Sequence, residues 1–193
     1  GSLRIPAAQC GVVGFKPPYG RVPEFSPFNL DHWCHEGPMA RSVADCALLE
    51  NVMAGPHRSD VASLRPKLRI PTELRGIEGW RVGLALDLGG FAIDDAVIAN
   101  ARAAADALRE AGAIVEEVDL GWDAAEIIRA ARIHFGVIFG PLVARSVAEH
   151  GDLMTRYAIR FAEDSARIAK EEFAEGLEIE GRVYERLGRV LQR

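Results

Sequence analysis

Residues 1–22 read G-S-L-R-I-P-A-A-Q-C-G-V-V-G-F-K-P-P-Y-G-R-V, and no other stretch of the chain constrains the fold as strongly. Residues 3–10 are apolar and small, and the run Val-Val-Gly-Phe at 12–15 predicts a short strand. Residues 16–20 follow as Lys-Pro-Pro-Tyr-Gly. They predict a turn, because proline fixes φ and has no N–H to donate to a neighbouring strand.

A second informative block covers residues 30–49 and reads L-D-H-W-C-H-E-G-P-M-A-R-S-V-A-D-C-A-L-L. After the Gly-Pro pair at 37–38, the sequence predicts a helix over about 39–53, which the Gly-Pro pair at 55–56 ends. The apolar residues expected on the inner face of this helix recur every three or four positions. They are Val43, Cys46, Ala47, Leu49 and Met53.

The middle of the chain predicts a strand–helix–strand unit. Strands are expected at 81–86 and 114–120, and the helix between them begins after Asp94 or Asp95 and stops at the left-handed residue Gly112. Two strands joined through one helix pair in parallel by a right-handed crossover. The chain is therefore expected to be α/β, with a mixed β-sheet flanked by helices. The expected inner face of the helix is Val97, Ala101, Ala104, Ala105, Leu108 and Ala111.

From Ala124 onward the apolar residues keep helical spacing, which predicts helices to the end of the chain. Pro141 is expected to bend or interrupt the first of them. His134 lies between apolar neighbours and is expected to be a packed imidazole and not a base. The apolar positions of a second helix are Leu153, Tyr157, Phe161 and Ile168.

Composition excludes several classes of protein. The chain has 193 residues, with 23 Lys or Arg against 28 Asp or Glu, which gives a formal net charge of −5. Binding to nucleic acid is not expected, because it needs a cationic surface. The chain contains no uninterrupted apolar run of about 18 residues, so no membrane-spanning helix is expected. Three cysteines are too few for a disulfide scaffold, so free thiols in a reducing cytoplasm are expected, with Cys10 buried as a small apolar residue.

The two blocks together resemble the amidase signature family. In the first block the matching residues are Ser2, Arg4, Pro6, Ala7, Cys10, Gly11, Gly14, Lys16, Pro17, Gly20 and Arg21. In the second block they are Leu30, Asp31, Gly37, Pro38, Ala40, Arg41, Val43, Ala44, Asp45, Ala47, Leu48 and Leu49. The strand–helix–strand unit is similar to the family's continuation, whereas beyond about residue 124 only the helical pattern agrees.

The resemblance implies a serine amidohydrolase with a Ser–cis-Ser–Lys triad. By position, Ser2 is the nucleophile that attacks the amide carbonyl. Gly1 is the last glycine of the turn whose N–H groups would bind the developing oxyanion. In this family a second serine relays the proton of the nucleophile to a desolvated, neutral lysine. Neither a metal nor an organic cofactor is expected.

The resemblance also implies that this chain lacks part of the triad. In the family the relay serine and the basic lysine precede the position of Gly1, and Lys16 matches the Lys-Pro turn and not the base. With no initiator Met and a helical pattern at its end, the chain is expected to be an internal piece, incomplete at both ends and inactive by itself. Gly1-Ser2 could also be a scar of tag removal. Its place in the motif favours a native Ser2.

Three further residues are candidates for the site. Arg4 is expected either to bind a carboxylate or carbonyls near the nucleophile turn or to form an ordinary salt bridge. Residues 32–36, H-W-C-H-E, hold the densest group of metal-binding side chains, but their spacing does not match the paired ligands of zinc sites, so a polar loop is expected. The family usually has fewer polar and aromatic residues here, which suggests that Trp33 and His35 help to shape the substrate pocket.

The function expected first is hydrolysis of a small-molecule carboxamide to a carboxylate and ammonia or an amine. A second hypothesis is an amidotransferase subunit that releases ammonia from glutamine for a tRNA-linked substrate. It ranks lower because its motif more typically reads Arg-Gln-Pro-Ala where residues 4–7 read Arg-Ile-Pro-Ala. A third is a non-catalytic relative that serves as a binding subunit. For the oligomeric state, the hypothesis is a homodimer.

The chain is expected to be one partial domain. Its signature core covers 1–56 and is followed by a proline-punctuated connection at 57–80. The strand–helix–strand unit then takes 81–120, and the helical region takes 121–193.

Overall fold

A computed structural model describes residues 2–192. They form two compact units that divide between Arg75 and Gly76, inside the expected connection. Each unit holds helices and one two-stranded sheet, antiparallel in the first unit and parallel in the second. The predicted α/β class is confirmed.

The first unit is built from two helices and a short strand pair. Its α-helices and strands in chain order are α1 (Arg4–Cys10), β1 (Val13–Gly14), β2 (Met39–Ala40) and α2 (Val43–Met53), with a short 3₁₀ helix at Phe28–Leu30 between the two strands. The sequence predicted β1 but no helix at α1, which ends at Gly11 with a left-handed φ of 64°. The two strands pair antiparallel, with Val13 opposite Ala40.

Two signature glycines let the N-terminal turn and α1 lie against this strand pair. A Cβ on Gly14 would lie 2.6 Å from the Ala7 Cβ. A Cβ on Gly37 would collide with the carbonyl oxygen of Phe15 and lie 3.0 Å from Cδ1 of Leu3. Residue 37 and the turn at residue 3 are therefore close neighbours.

Helix α2 begins later than expected, at Val43 instead of about Met39. The reason is a side-chain cap: the Ser42 hydroxyl accepts the Asp45 N–H at 3.1 Å, while Met39 belongs to β2. Cys46 and Ala47 are buried as predicted. Two other residues of the predicted inner face are exposed, namely Val43 and Leu49.

The second unit begins with the predicted strand–helix–strand unit. It comprises β3 (Arg81–Leu84), α3 (Asp95–Glu110) and β4 (Ile114–Glu117), and the two strands pair in parallel as expected. Asp94 caps the helix by accepting the Ala96 N–H at 2.8 Å. Within residues 2–192 the outer edges of both strands are unpaired. The predicted helix face is mostly not covered: Ala105 is buried, but Val97 is 59% exposed.

Three helices complete the second unit: α4 (Ala124–His150), α5 (Arg156–Ser165) and α6 (Lys170–Leu191). Of the bend or interruption expected at Pro141, the interruption is wrong, because α4 runs through this residue. Ile168 lies between α5 and α6 and not in a helix with Tyr157. Close packing of α5 on α4 depends on glycine, since a Cβ on Gly140 would lie 2.5 Å from the Ser165 Cβ.

Polar contacts join α6 to α4 and to the segment before it. His134 Nδ1 lies 3.0 Å from Glu180 Oε1, and the His134 side chain is only 4% exposed, which confirms that it is packed. Arg129 pairs with Glu175 at 2.6 Å near the surface. The Trp122 indole N–H donates to the Val183 carbonyl at 3.1 Å.

One helical stretch, Ala124–Leu153, is long and apolar enough to cross a membrane, with a mean hydropathy of 1.5. Of its apolar window 28% is buried inside the fold, where α5 and α6 pack. A single stretch of this kind is weak evidence for a span, because core helices of soluble proteins have the same length and composition. The expectation of no membrane span stays a prediction.

Candidate active site

Ser2 lies in the exposed turn that leads into α1. Gly1, the expected oxyanion residue, lies outside the described residues. No side chain of the described chain hydrogen-bonds the Ser2 hydroxyl. The hydroxyl is therefore open to a substrate, and no base within residues 2–192 is placed to take its proton.

Lys16 interacts electrostatically with both Arg4 and His35. The Lys16 ammonium donates to the Pro17 carbonyl at 2.8 Å. Burial, and then the positive charge of Arg4, lower the pKa of Lys16. Burial also lowers the pKa of His35, the hydrogen bond to Trp33 opposes this, and the charge of Lys16 lowers it further. Arg4 has no ion-pair partner among the described residues, so its salt-bridge alternative is not realised there.

The loop at 31–36 is organised by the buried carboxylate of Asp31, which is 4% exposed. One of its oxygens accepts the Trp33 N–H at 3.0 Å, and the other accepts the Cys34 thiol at 3.1 Å. The Trp33 carbonyl lies 3.1 Å from His35 Nδ1. These bonds hold Trp33 and His35 half-buried. The His35 ring lies edge-on to Tyr19, with centroids 6.0 Å apart.

The thiols differ from the sequence expectation. Cys10 is exposed and not buried, because it ends α1 on the outer side of the helix. Cys46 is the buried one. Burial, followed by the hydrogen bond to Asp31, raises the pKa of Cys34 to about 12, so it stays a neutral thiol at physiological pH.

We expect a thiol reagent at pH 8 to modify Cys10 at least about 100-fold faster than Cys34, because only the thiolate reacts and Cys34 is nearly all protonated. Labelling followed by peptide mass spectrometry measures both rates. Cys10→Ser is the control and should remove the fast phase. Equal labelling rates at Cys10 and Cys34 would contradict the raised pKa of Cys34.

Because folding raises the pKa of Cys34, the contribution of this thiol to the free energy of unfolding is complete below about pH 9 and is lost as the pH rises towards 12.

No group of three or more His, Cys, Asp or Glu side chains in the described part of the chain is arranged to hold a metal. In the loop at 32–36, the thiol of Cys34 and a ring nitrogen of His35 are engaged in hydrogen bonds with Asp31 and Trp33.

The second unit contains an aromatic cleft between α4 and α5. Two adjoining cavities of about 260 and 330 Å³ share Phe135, Tyr157 and Phe161 as lining residues. Tyr157 is 81% exposed at the rim. Arg132 and Asp164 make one end of the cleft polar. The spacing of apolar residues in the sequence predicted that these aromatic residues lie on helices, but it did not indicate that they line a cleft.

The sequence also missed residues that surround His35. Asp31 was visible as a matching residue of the second block, although its buried, loop-forming role was not. Tyr19 and Glu24 line a small cavity with His35, and no pattern pointed to either. The structure brings His35, but not Trp33, to this cavity, and it shows no hydrogen bond from the loop at 31–36 to Ser2 in the described chain.

Comparison with known proteins shows which family the chain matches. The family model described as Amidase matches residues 1–176. An acylamidase of Rhodococcus erythropolis is 38% identical over 125 residues, covering 63% of this chain and 26% of that protein. A glutamyl-tRNA(Gln) amidotransferase subunit of Methylococcus capsulatus is 39% identical over 126 residues, covering 62% of this chain and 25% of that protein.

Among solved structures, a bacterial aryl acylamidase of the amidase signature family superimposes with a TM-score of 0.86 and 31% identity. The match covers 99% of this chain and 42% of that one. The chain spans about a quarter of the length of the curated relatives it matches.

Proposed function

This chain belongs to the amidase family, and from that membership we propose that it supplies the nucleophile, Ser2, of an enzyme that hydrolyses a small-molecule carboxamide through an acyl-enzyme. The observation that carries the proposal is the exposed Ser2 at the family's nucleophile position, in a turn that the signature glycines hold against β1. No cofactor takes part in the proposed steps. The free thiols fit a reducing compartment such as the cytoplasm.

The reaction follows from the chemistry of a serine hydroxyl. Ser2 Oγ bonds to the amide carbon as its proton leaves to a base, and the carbonyl oxygen becomes an oxyanion that backbone N–H groups stabilise. The C–N bond then breaks, and the amine or ammonia leaves with a proton. Water next attacks the ester on Ser2, which releases the carboxylate and restores the hydroxyl.

The base is expected to come from residues outside this chain. Lys16 is unsuited to the task, because its ammonium is held by the Pro17 carbonyl and it makes no hydrogen bond to Ser2. The described residues place no other side chain on the Ser2 hydroxyl. We therefore expect the 193-residue chain alone not to turn over amides.

Similarity to an acylamidase and to an aryl acylamidase supports an acyl amide as the substrate class.

The second candidate, release of ammonia from glutamine for a tRNA-linked product, is favoured by one observation. The amidotransferase subunit of Methylococcus capsulatus is as similar to this chain as the acylamidase is. Glutamine is a polar, charged substrate, so the two candidates differ in what they turn over.

We expect the longer protein that contains this chain to hydrolyse an acyl anilide with a kcat/KM at least about 10-fold above that for glutamine, because the chain is similar to an acylamidase and to an aryl acylamidase. Release of aniline and release of ammonia are measured on the same preparation. A preference for glutamine would favour the amidotransferase. If neither amide is cleaved and a fluorophosphonate probe leaves Ser2 unlabelled, the non-catalytic alternative holds instead.

A further inference from the structure

A small polar cavity lies in the first unit, away from the Ser2 turn in sequence. Its volume is about 10 Å³, which is room for about one water molecule or a single ion. Residues from four parts of the unit line it: the turn at 16–20, the segment that follows it, the loop at 31–36 and the connection near residue 60. The polar lining that matters is Tyr19, Glu24, Asn29, Glu36 and Asp60.

Asn29 contributes a buried acceptor that has no partner. The residue is 5% exposed, and its amide nitrogen donates to the Ser59 carbonyl at 3.5 Å. Its backbone carbonyl accepts the Tyr19 hydroxyl at 2.5 Å. Its Oδ1 has less than 1 Å² of accessible surface and no hydrogen-bond partner in the described chain. Buried acceptors are nearly always satisfied, so this oxygen is expected to accept a hydrogen bond from a water molecule or to bind an ion.

The lining of the cavity is strongly acidic. A hydrogen bond with Glu24, then burial, then the charge of Glu24 raise the pKa of Glu36. Burial followed by the charges of Asp60 and Asp31 raises the pKa of Tyr19. Two carboxyl groups that disfavour each other's charge are relieved by a cation placed between them.

The oxygens still free for a ligand can be identified. Both oxygens of Asp60 already accept backbone N–H groups, one from Glu24 at 3.1 Å and one from Ala62 at 2.8 Å. One oxygen of Glu24 accepts the Phe25 N–H at 2.8 Å, and the Glu24 carboxylate also hydrogen-bonds the Glu36 carboxyl group, so a bound cation would replace the proton between these two groups. Glu36 is exposed at the rim, so the cavity has an entry path.

We propose that this cavity is a binding site for a single hard cation of the Ca²⁺ class, held by the carboxylates of Glu24 and Glu36 and by Oδ1 of Asn29, with solvent at the exposed Glu36 rim completing the shell. Ca²⁺ takes carboxylate and amide oxygens at about 2.3–2.6 Å. These metal–oxygen distances are shorter than a water hydrogen bond of about 2.7–3.0 Å. Because the ion approaches an oxygen more closely than a water molecule does, it can contact Oδ1 of Asn29, which has less than 1 Å² of accessible surface.

Softer metals fit this cavity less well. Zinc prefers nitrogen and thiolate ligands. The Cys34 thiol at the cavity remains protonated and is already bonded to Asp31. The ligands on offer are oxygens, and because two of them are carboxylates they favour a divalent cation.

The test is a calorimetric titration of the purified chain with CaCl₂. We expect one saturable site whose affinity falls at least about 10-fold in Glu36→Gln and in Glu24→Gln, because each removes a charged ligand. Glu73→Gln, an exposed carboxylate of the same unit, is the matched control and should bind as the parent does. No saturation by about 10 mM Ca²⁺, above the roughly 1 mM range of weak protein sites, would overturn the proposal. Unchanged affinity in both Glu variants would overturn it as well.

Asn29→Asp separates a ligand from a merely structural amide. As a ligand, the added carboxylate should bind Ca²⁺ at least about 5-fold more tightly, and Ca²⁺ should raise the melting temperature of this variant more than that of the parent. A structural amide predicts an equal loss of melting temperature with and without Ca²⁺, and that result would contradict the site.

Discussion

Ser2→Ala in the longer protein is expected to lower kcat for amide hydrolysis by at least about 10³-fold, because no acyl-enzyme can form without the hydroxyl. KM should change little, since the side chain loses one oxygen and makes no hydrogen bond to another described side chain. The folded state should be unaffected, because Ser2 is exposed. Steady-state kinetics and a fluorophosphonate label followed by mass spectrometry measure the loss directly.

A matched control separates loss of the nucleophile from loss of any serine. Ser146 is also exposed, and its hydroxyl bonds only the Leu142 carbonyl of its own helix, so Ser146→Ala should keep activity and labelling. Full activity in Ser2→Ala would refute the nucleophile assignment. Amide hydrolysis by the 193-residue chain alone, lost on the same substitution, would show that the base lies within it.

Gly20→Ala is expected to destabilise the first unit by about 2–4 kcal/mol, from two causes that act together. Gly20 has a φ of 79°, a conformation that costs about 1 kcal/mol for a residue with a Cβ. A Cβ at this position would also collide with the carbonyl oxygen of Ala62. That collision forces a backbone shift, and such overpacking typically costs about 1–3 kcal/mol more. Urea denaturation followed by tryptophan fluorescence measures the change.

The chain offers a control that isolates the second cause. Gly11 has a similar φ of 64°, but a Cβ there would meet nothing within 4 Å. Gly11→Ala should therefore cost only about 1 kcal/mol, the backbone part alone. If the two variants lose the same stability, the contact between the turn and residue 62 does not constrain Gly20.

The fold was largely predictable where turn residues and helical caps are local. Asp94 and Gly112 marked the ends of α3, and the parallel strand pair followed from the order of elements. Helix α1 was missed because its seven residues are too few for a period and include Pro6. Proline usually ends a helix, but Pro141 does not interrupt α4, because packing of α5 and α6 stabilises α4 enough to accommodate it.

The sequence proposed site residues only where a motif names them, and their roles stay predictions. The signature blocks gave Ser2 and Arg4, and they drew attention to Trp33 and His35. Tyr19 and Asn29 could not be found in this way, because what matters about them is a shared cavity formed by segments far apart in the sequence. Burial of Asp31 likewise depends on the loop's own hydrogen bonds and not on any spacing.

The open edges of the β3–β4 pair have a practical consequence for anyone who produces this chain by itself. Among residues 2–192 no further strand pairs with either edge of this two-stranded sheet, which therefore presents backbone N–H and C=O groups to other molecules, apart from the Val115 carbonyl that accepts the Arg109 guanidinium. The uncovered Val97 and Ile114 lie on the same unit and add apolar surface. Solubility during expression, more than catalytic chemistry, will decide how easily the isolated polypeptide can be handled, and low protein concentration with added Lys or Glu on the β3 edge is the direct remedy.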